Sequence, residues 1–128
     1  MPDSTPSLQT EFQELLLVSL GAVPGAVLRW QAAVHLQDQN VLVNVAGAAV
    51  LGLMVGRSLR PRWQLLIGIG FCGSLTTFSS WMLDAMRQIS RGDWVQAIGL
   101  IGLTLGLGVG AAGLGYFFGI RFLSTPKQ

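Results

Sequence analysis

Charge is what this chain of 128 residues has least of: only 11% of them are Asp, Glu, Lys or Arg, where a soluble domain carries about a quarter. So little charge cannot clothe a water-exposed surface, and an ordinary soluble enzyme is excluded first. Cysteine occurs once, as Cys72, and histidine once, as His35, which rules out an internal disulfide and a Cys/His metal site. Cys72 reads as a small apolar filler. No basic run exists. The net charge of +2 comes from scattered arginines, which gives nucleic-acid binding no footing. Residues 1–13, with Pro2, Asp3, Pro6 and Glu11, lack the cationic start of a cleaved signal peptide and read as a short disordered tail.

Ionisable groups are missing where they would matter most in a membrane. Arg29 lies towards the end of one apolar segment and Asp84 near the end of another, and no Asp, Glu, Lys or His falls at the centre of any. A proton-coupled carrier with a midplane carboxylate is therefore poorly supported. Ser79 and Ser80 are nucleophiles without a base, His35 being in a loop, so the chain is not read as an enzyme.

Apolar residues make up 51% of the chain, with a mean hydropathy of +0.55, and a spanning helix needs about 20 such residues in a row. The predicted spans are 14–34, 41–59, 64–86 and 94–123, one four-helix transmembrane domain over 1–128. The loops between them are "HLQDQN", "RSLRPRW", where Pro61 blocks helix continuation, and "RQISRGD"; the polar end is "STPKQ". Trp30, Trp63 and Trp94 fall near span ends, where amphipathic rings prefer the interface; Trp81 does not fit that pattern. With the N-terminus inside, Arg57, Arg60, Arg62, Arg121 and Lys127 oppose Arg29, Arg87 and Arg91. A bias of five against three orients a chain weakly, so insertion both ways up, and an antiparallel homodimer, stands level with a single N-in topology.

Among 17 glycines, several recur at four-residue spacing: Gly21 and Gly25; Gly52 and Gly56; Gly102, Gly106 and Gly110; Gly115 and Gly119. Such rows let helices approach closely in lipid. Four thin helices do not surround an aqueous pore, so permeation would call for a second subunit.

The polarity left at membrane depth is uncharged. Asn44 lies early in the second span, and Thr76, Thr77, Ser79 and Ser80 cluster in the third. Amide and hydroxyl donors can replace water around a small anion; they serve equally for interhelical or own-helix hydrogen bonds. Gly70, Gly73 and the β-branched pair Thr76-Thr77 disfavour an unbroken helix. Backbone groups freed at such a break must be buried, line a wet cavity or ligate an ion, and converging carbonyls suit an alkali cation. Phe78 and Trp81, three apart, share a helix face, either as core packing or with positive ring edges turned to an anion.

The stretch "GFCGSLTTFSSW" (70–81), with "GAVPGAVLRW" (21–30) and "VLVNVAGAAVLGL" (41–53), resembles the Fluc/CrcB fluoride channels over nearly the whole chain. The resemblance implies a dual-topology antiparallel homodimer in a prokaryotic plasma (inner) membrane, with two pathways that export toxic fluoride passively and so confer fluoride resistance. It implies that the backbone carbonyls of Gly73 and Thr76 hold a central structural sodium ion, shared with the partner's equivalents. Asn44 would be a pore-lining donor, Phe78 the first of two family phenylalanines whose edges line the path, and Thr77, Ser79 and Ser80 part of the polar track. Arg29 would concentrate anions at a vestibule.

Three positions depart from the family pattern. Trp81 replaces the second phenylalanine and adds an indole donor. Ser74 replaces the second of a glycine pair. A fourth-span Tyr four residues before a Ser aligns with Leu100 and Thr104, leaving Thr104 as the hydroxyl of the track. The competing readings are a small dual-topology proton-coupled exporter, which needs an embedded acid that Glu14 and Asp84 are badly placed to be, and a non-transporting membrane subunit, which leaves Asn44 and the Thr/Ser cluster without purpose.

Overall fold

The structure is a computed structural model and describes residues 5–36 and 40–123. The middle of the expected first loop and the polar end with Lys127 lie outside the described residues. All regular structure among the described residues is helical.

Helix α1 is Leu8–His35 and starts ahead of the expected boundary at Glu14, so the expected tail is helical from Leu8. Ser7 is the reason: its hydroxyl accepts the Thr10 amide, and Glu11 sits in the first turn, where the helix dipole favours a carboxylate. Helix α2 is Val41–Arg57, shorter than the 41–59 predicted. Ser58, at φ 55°, takes a left-handed conformation that ends it.

The third segment, α3, runs through Pro61–Trp63, Gln64–Cys72 and Gly73–Leu75, its central part wound as a π-helix. The chain leaves the helix at residues 76–78 and resumes as α4, Ser79–Ser90. An interruption is what the Gly and Thr content predicts, but Gly70 and Gly73 do not lie at it. Thr76 does, in extended conformation at φ −79° and ψ 153°.

Helix α4 ends on Gly92, whose φ of 81° is the left-handed turn of a Schellman cap. The Asp93 amide donates to Gln88 O at 2.9 Å and the Gly92 amide to Ile89 O at 3.0 Å. Helix α5, Trp94–Phe118, follows and continues as a π turn over Gly119–Leu123.

Three helical stretches, Leu8–His35, Pro61–Ser90 and Trp94–Leu123, are long and apolar enough to cross a membrane, and Val41–Arg57 is a shorter apolar helix. At 1.5 Å per residue, α2 reaches about 26 Å, close to a hydrocarbon core of about 30 Å.

Glycines set which helices touch. A Cβ on Gly21 would strike Leu66 O, and one on Gly70 would strike the backbone of Val18 and Gly21, so α1 and α3 meet main chain to main chain. A Cβ on Gly52 would strike Ala112, and one on Gly115 would strike Ala49, which joins α2 to α5 in the same way. Gly56 and Gly119 extend that seam. Where α4 packs on α5 there is a thin core in which Trp81, Ala85 and Leu100 are buried with Val41, Met82 and Ile101 against them.

Candidate ion pathway

The break is held open by one side chain from another helix. Asn44 Oδ1 accepts the Thr77 amide at 2.7 Å, and Asn44 Nδ2 donates to Thr77 O at 3.0 Å. A carboxamide carries one strong acceptor and two donor hydrogens, so it can stand in for a strand of backbone and still retain one N–H. Gly47 sits on the same helix one turn below, and a Cβ there would collide with the Thr76 methyl, which lets α2 come this close.

Two carbonyls lose their helical donors as a result. In an unbroken helix the Thr77 amide would go to Gly73 O and the Ser80 amide to Thr76 O. Here the first is given to Asn44, and the second goes to Thr77 Oγ1 at 3.3 Å. Thr77 thereby caps α4 in the manner of an N-terminal hydroxyl. Thr76 satisfies its own hydroxyl on Cys72 O at 2.8 Å, and Ser74 its own on Phe71 O at 3.1 Å.

Beside the break lies a cavity of about 330 Å³, open at one face. Asn44, Thr76, Thr77, Phe78, Trp81 and Thr104 contribute to its wall, with small and aliphatic residues of α2 and α5 filling the rest and no charged residue among them. Phe78 and Trp81 meet edge to face, centroids 5.3 Å apart and planes at 62°. They differ in burial, Trp81 being 3% exposed and Phe78 68%.

Residues 16–116 match the family described as CrcB-like protein, Camphor Resistance (CrcB). The chain belongs to the CrcB-like family. It is 66% identical over 128 residues to a protein named Fluoride-specific ion channel FluC 2 of Parasynechococcus marenigrum (strain WH8102), covering 100% of this chain and 96% of that one. It is 65% identical over 127 residues to one of the same name in Synechococcus sp. (strain CC9605), covering 99% and 96%. It is also 54% identical over 122 residues to one of that name in Prochlorococcus marinus (strain MIT 9313), covering 95% and 94%.

Not every candidate of this CrcB-like chain gathers at the cavity. Ser79 and Ser80 are exposed in the first turn of α4 and stand outside the wall. Arg29 is half-buried on α1, one turn beyond Gly25, whose Cβ position is filled by Ser74 Oγ and Phe71 O; it too lies away from the wall. Gly73 is exposed next to the break. Asp84 pairs with Arg87 at 3.4 Å, one turn along α4. Sequence reasoning did not single out Ala48, Leu51, Leu105, Gly108 or Val109, which complete the wall. Ala48 follows Asn44 by four residues and Gly108 follows Thr104 by four, so helical spacing from those two polar residues was the available signal.

Proposed function

We propose that this multi-pass membrane protein is the subunit of a passive, fluoride-selective channel. The observation that carries the reading is the interrupted α3–α4 helix, fastened by Asn44 to leave a cavity lined with neutral donors and an aromatic pair. Relatives named as fluoride-specific ion channels, at up to 66% identity over the whole chain, supply the ion. A cavity without a carboxylate repels no anion, and one without Lys or Arg does not trap it, which is what a permeation site requires.

In this reading all four apolar helices cross a prokaryotic plasma (inner) membrane and two copies assemble antiparallel. Support comes from α5: at Gly102, Gly106 and Gly110 no other element among the described residues comes within 4 Å of a Cβ position, so this row of small residues is left unpacked within the subunit. The ring of Phe78, in the cavity wall yet largely exposed, supports the same reading. A structural sodium would be held by the Gly73 and Thr76 carbonyls; they fit because both have surrendered their helical donors. Such an ion would supply positive charge against oxygen dipoles that lipid cannot satisfy. Arg29, at the far end of α1, is the vestibule charge, and Ser79 and Ser80 extend the track beyond the cavity.

Proteoliposomes loaded with fluoride and chloride test the function. The expected result is rapid fluoride loss, read with an ion-selective electrode, with chloride retained and no requirement for a proton gradient. Phe78→Ile removes the ring edge and is expected to abolish the flux; wild-type flux in that variant would remove the assigned pathway. Assembly has its own test. An epitope tag at either terminus should be accessible from both faces of the membrane, and accessibility from one face alone would exclude the antiparallel dimer.

A further inference from the structure

Two polar side chains in the cavity wall are buried with nothing to bond. Trp81 is 3% exposed and Thr104 7%, and among the described residues the indole Nε1 and the hydroxyl Oγ1 have no hydrogen-bond partner. Buried donors are nearly always satisfied, so a pair left over in one cavity implies an occupant. Thr104 is the more telling of the two. Hydroxyls inside helices usually bond back to the carbonyl three or four residues earlier; Ser19, Ser74 and Thr76 all do so here, on Leu15, Phe71 and Cys72. Among the described residues Thr104 makes no such bond.

The chemistry of the occupant follows from the inventory. An indole N–H only donates, and Asn44 retains one donor hydrogen after fastening the break. A neutral, donor-rich wall suits a small anion stripped of its shell, because hydrogen bonds to a charged acceptor are the strong ones. We infer that the Trp81 indole N–H and the Thr104 hydroxyl are paired donors to one dehydrated fluoride ion. This makes Trp81 a specificity-determining residue that acts through its nitrogen and not only through its ring edge. The inference rests on the channel reading and deepens it. A ring edge offers only the positive rim of a quadrupole. An N–H donor in its place binds more tightly, so the ion dwells longer at this station.

The test uses the full chain with Trp30, Trp63 and Trp94 replaced by Phe, none of which lines the cavity, so that emission reports Trp81 alone. Sodium fluoride is expected to change the Trp81 emission saturably, and sodium chloride at equal ionic strength to leave it unchanged. Thr104→Val should raise the half-saturating fluoride concentration by roughly tenfold, as loss of one charge-assisted hydrogen bond requires, while Thr104→Ser should restore it. Trp81→Phe in the otherwise native chain should raise the half-saturating concentration for flux by a similar factor. Emission indifferent to fluoride up to concentrations that saturate flux would overturn the pair, as would an unmoved midpoint in Trp81→Phe. If Trp81→Phe does not fold, the emission series with Thr104→Val decides alone. Wild-type liposomes that hold their fluoride would instead sink the channel reading and the pair together.

Discussion

Asn44→Asp is expected to reduce fluoride flux by about a hundredfold or more. Two losses combine in a change of one atom. A carboxylate in the cavity wall faces the permeating anion, and two like charges about 6 Å apart at an effective dielectric constant of about 20 repel by about 3 kcal/mol, which is about a hundredfold in occupancy. The ionised group also has no hydrogen to give Thr77 O, so half of the link between α2 and the break is lost. Asn44→Leu separates the two effects. It adds no charge but removes both hydrogen bonds to Thr77, stranding a buried amide and carbonyl at about 1–3 kcal/mol each. It should therefore lower the yield of folded protein as well as flux, whereas Asn44→Asp retains the Thr77 N–H contact and should fold better than it conducts. Ion-selective electrode traces, normalised to monodisperse protein from gel filtration, make the comparison. Near-native flux in Asn44→Asp at neutral pH would show that the ion does not pass this side chain.

That pairing marks the limit of what linear order conveys. An interruption in the third apolar segment was legible, because glycines and adjacent β-branched threonines weaken a helix wherever they occur. Its position was legible only as the stretch from Gly70 to Thr77, because glycines in this chain do a second job. Gly70 lies in a π-wound turn whose main chain rests on Val18 and Gly21, and the break instead falls at Thr76, where Asn44 competes for the Thr77 amide. Asn44 and Thr77 are 33 residues apart, and nothing in the local pattern of either names the other.

The same holds for the donors. Hydroxyls of Thr76, Thr77, Ser79 and Ser80 are equivalent in the sequence, yet Thr76 turns to its own helix, Thr77 caps the next one, and the two serines remain exposed. Trp81, by contrast, was anomalous from the outset as a tryptophan away from a span end, and its burial at 3% exposure with an unpaired nitrogen is the physical form of that anomaly. The early start of α1 was also written in the chain, in a serine followed by Thr10 and Glu11, but a polar composition concealed it.

Glycine rows of identical spacing have opposite fates, and a pair of substitutions is expected to expose the difference. Gly115→Leu places a side chain against Ala49 O, with Leu53 N 2.9 Å and Ala49 C 3.1 Å from the new Cβ. All three are backbone atoms of α2, which cannot swing aside as a side chain could, so the helices must separate along the seam that Gly52, Gly56 and Gly119 share. Overpacking a yielding core costs about 1–3 kcal/mol. A rigid backbone contact lies at or above that range, enough to lower the thermal midpoint by more than about 10 °C. Gly106→Leu has the same chemistry on the same helix, but among the described residues no other element lies within 4 Å of its Cβ position. The subunit should therefore fold as before, with unchanged helical circular dichroism, and any loss must come from outside it. If a second copy covers the row, cross-linking in the membrane will report monomer for Gly106→Leu and dimer for wild type. Flux should fall with the dimer, because the cavity beside Phe78 then loses the surface that closes it. A Gly106→Leu protein that stays dimeric and conducts would place the subunit contact on another face, while a Gly115→Leu protein of native stability would contradict the α2–α5 packing itself.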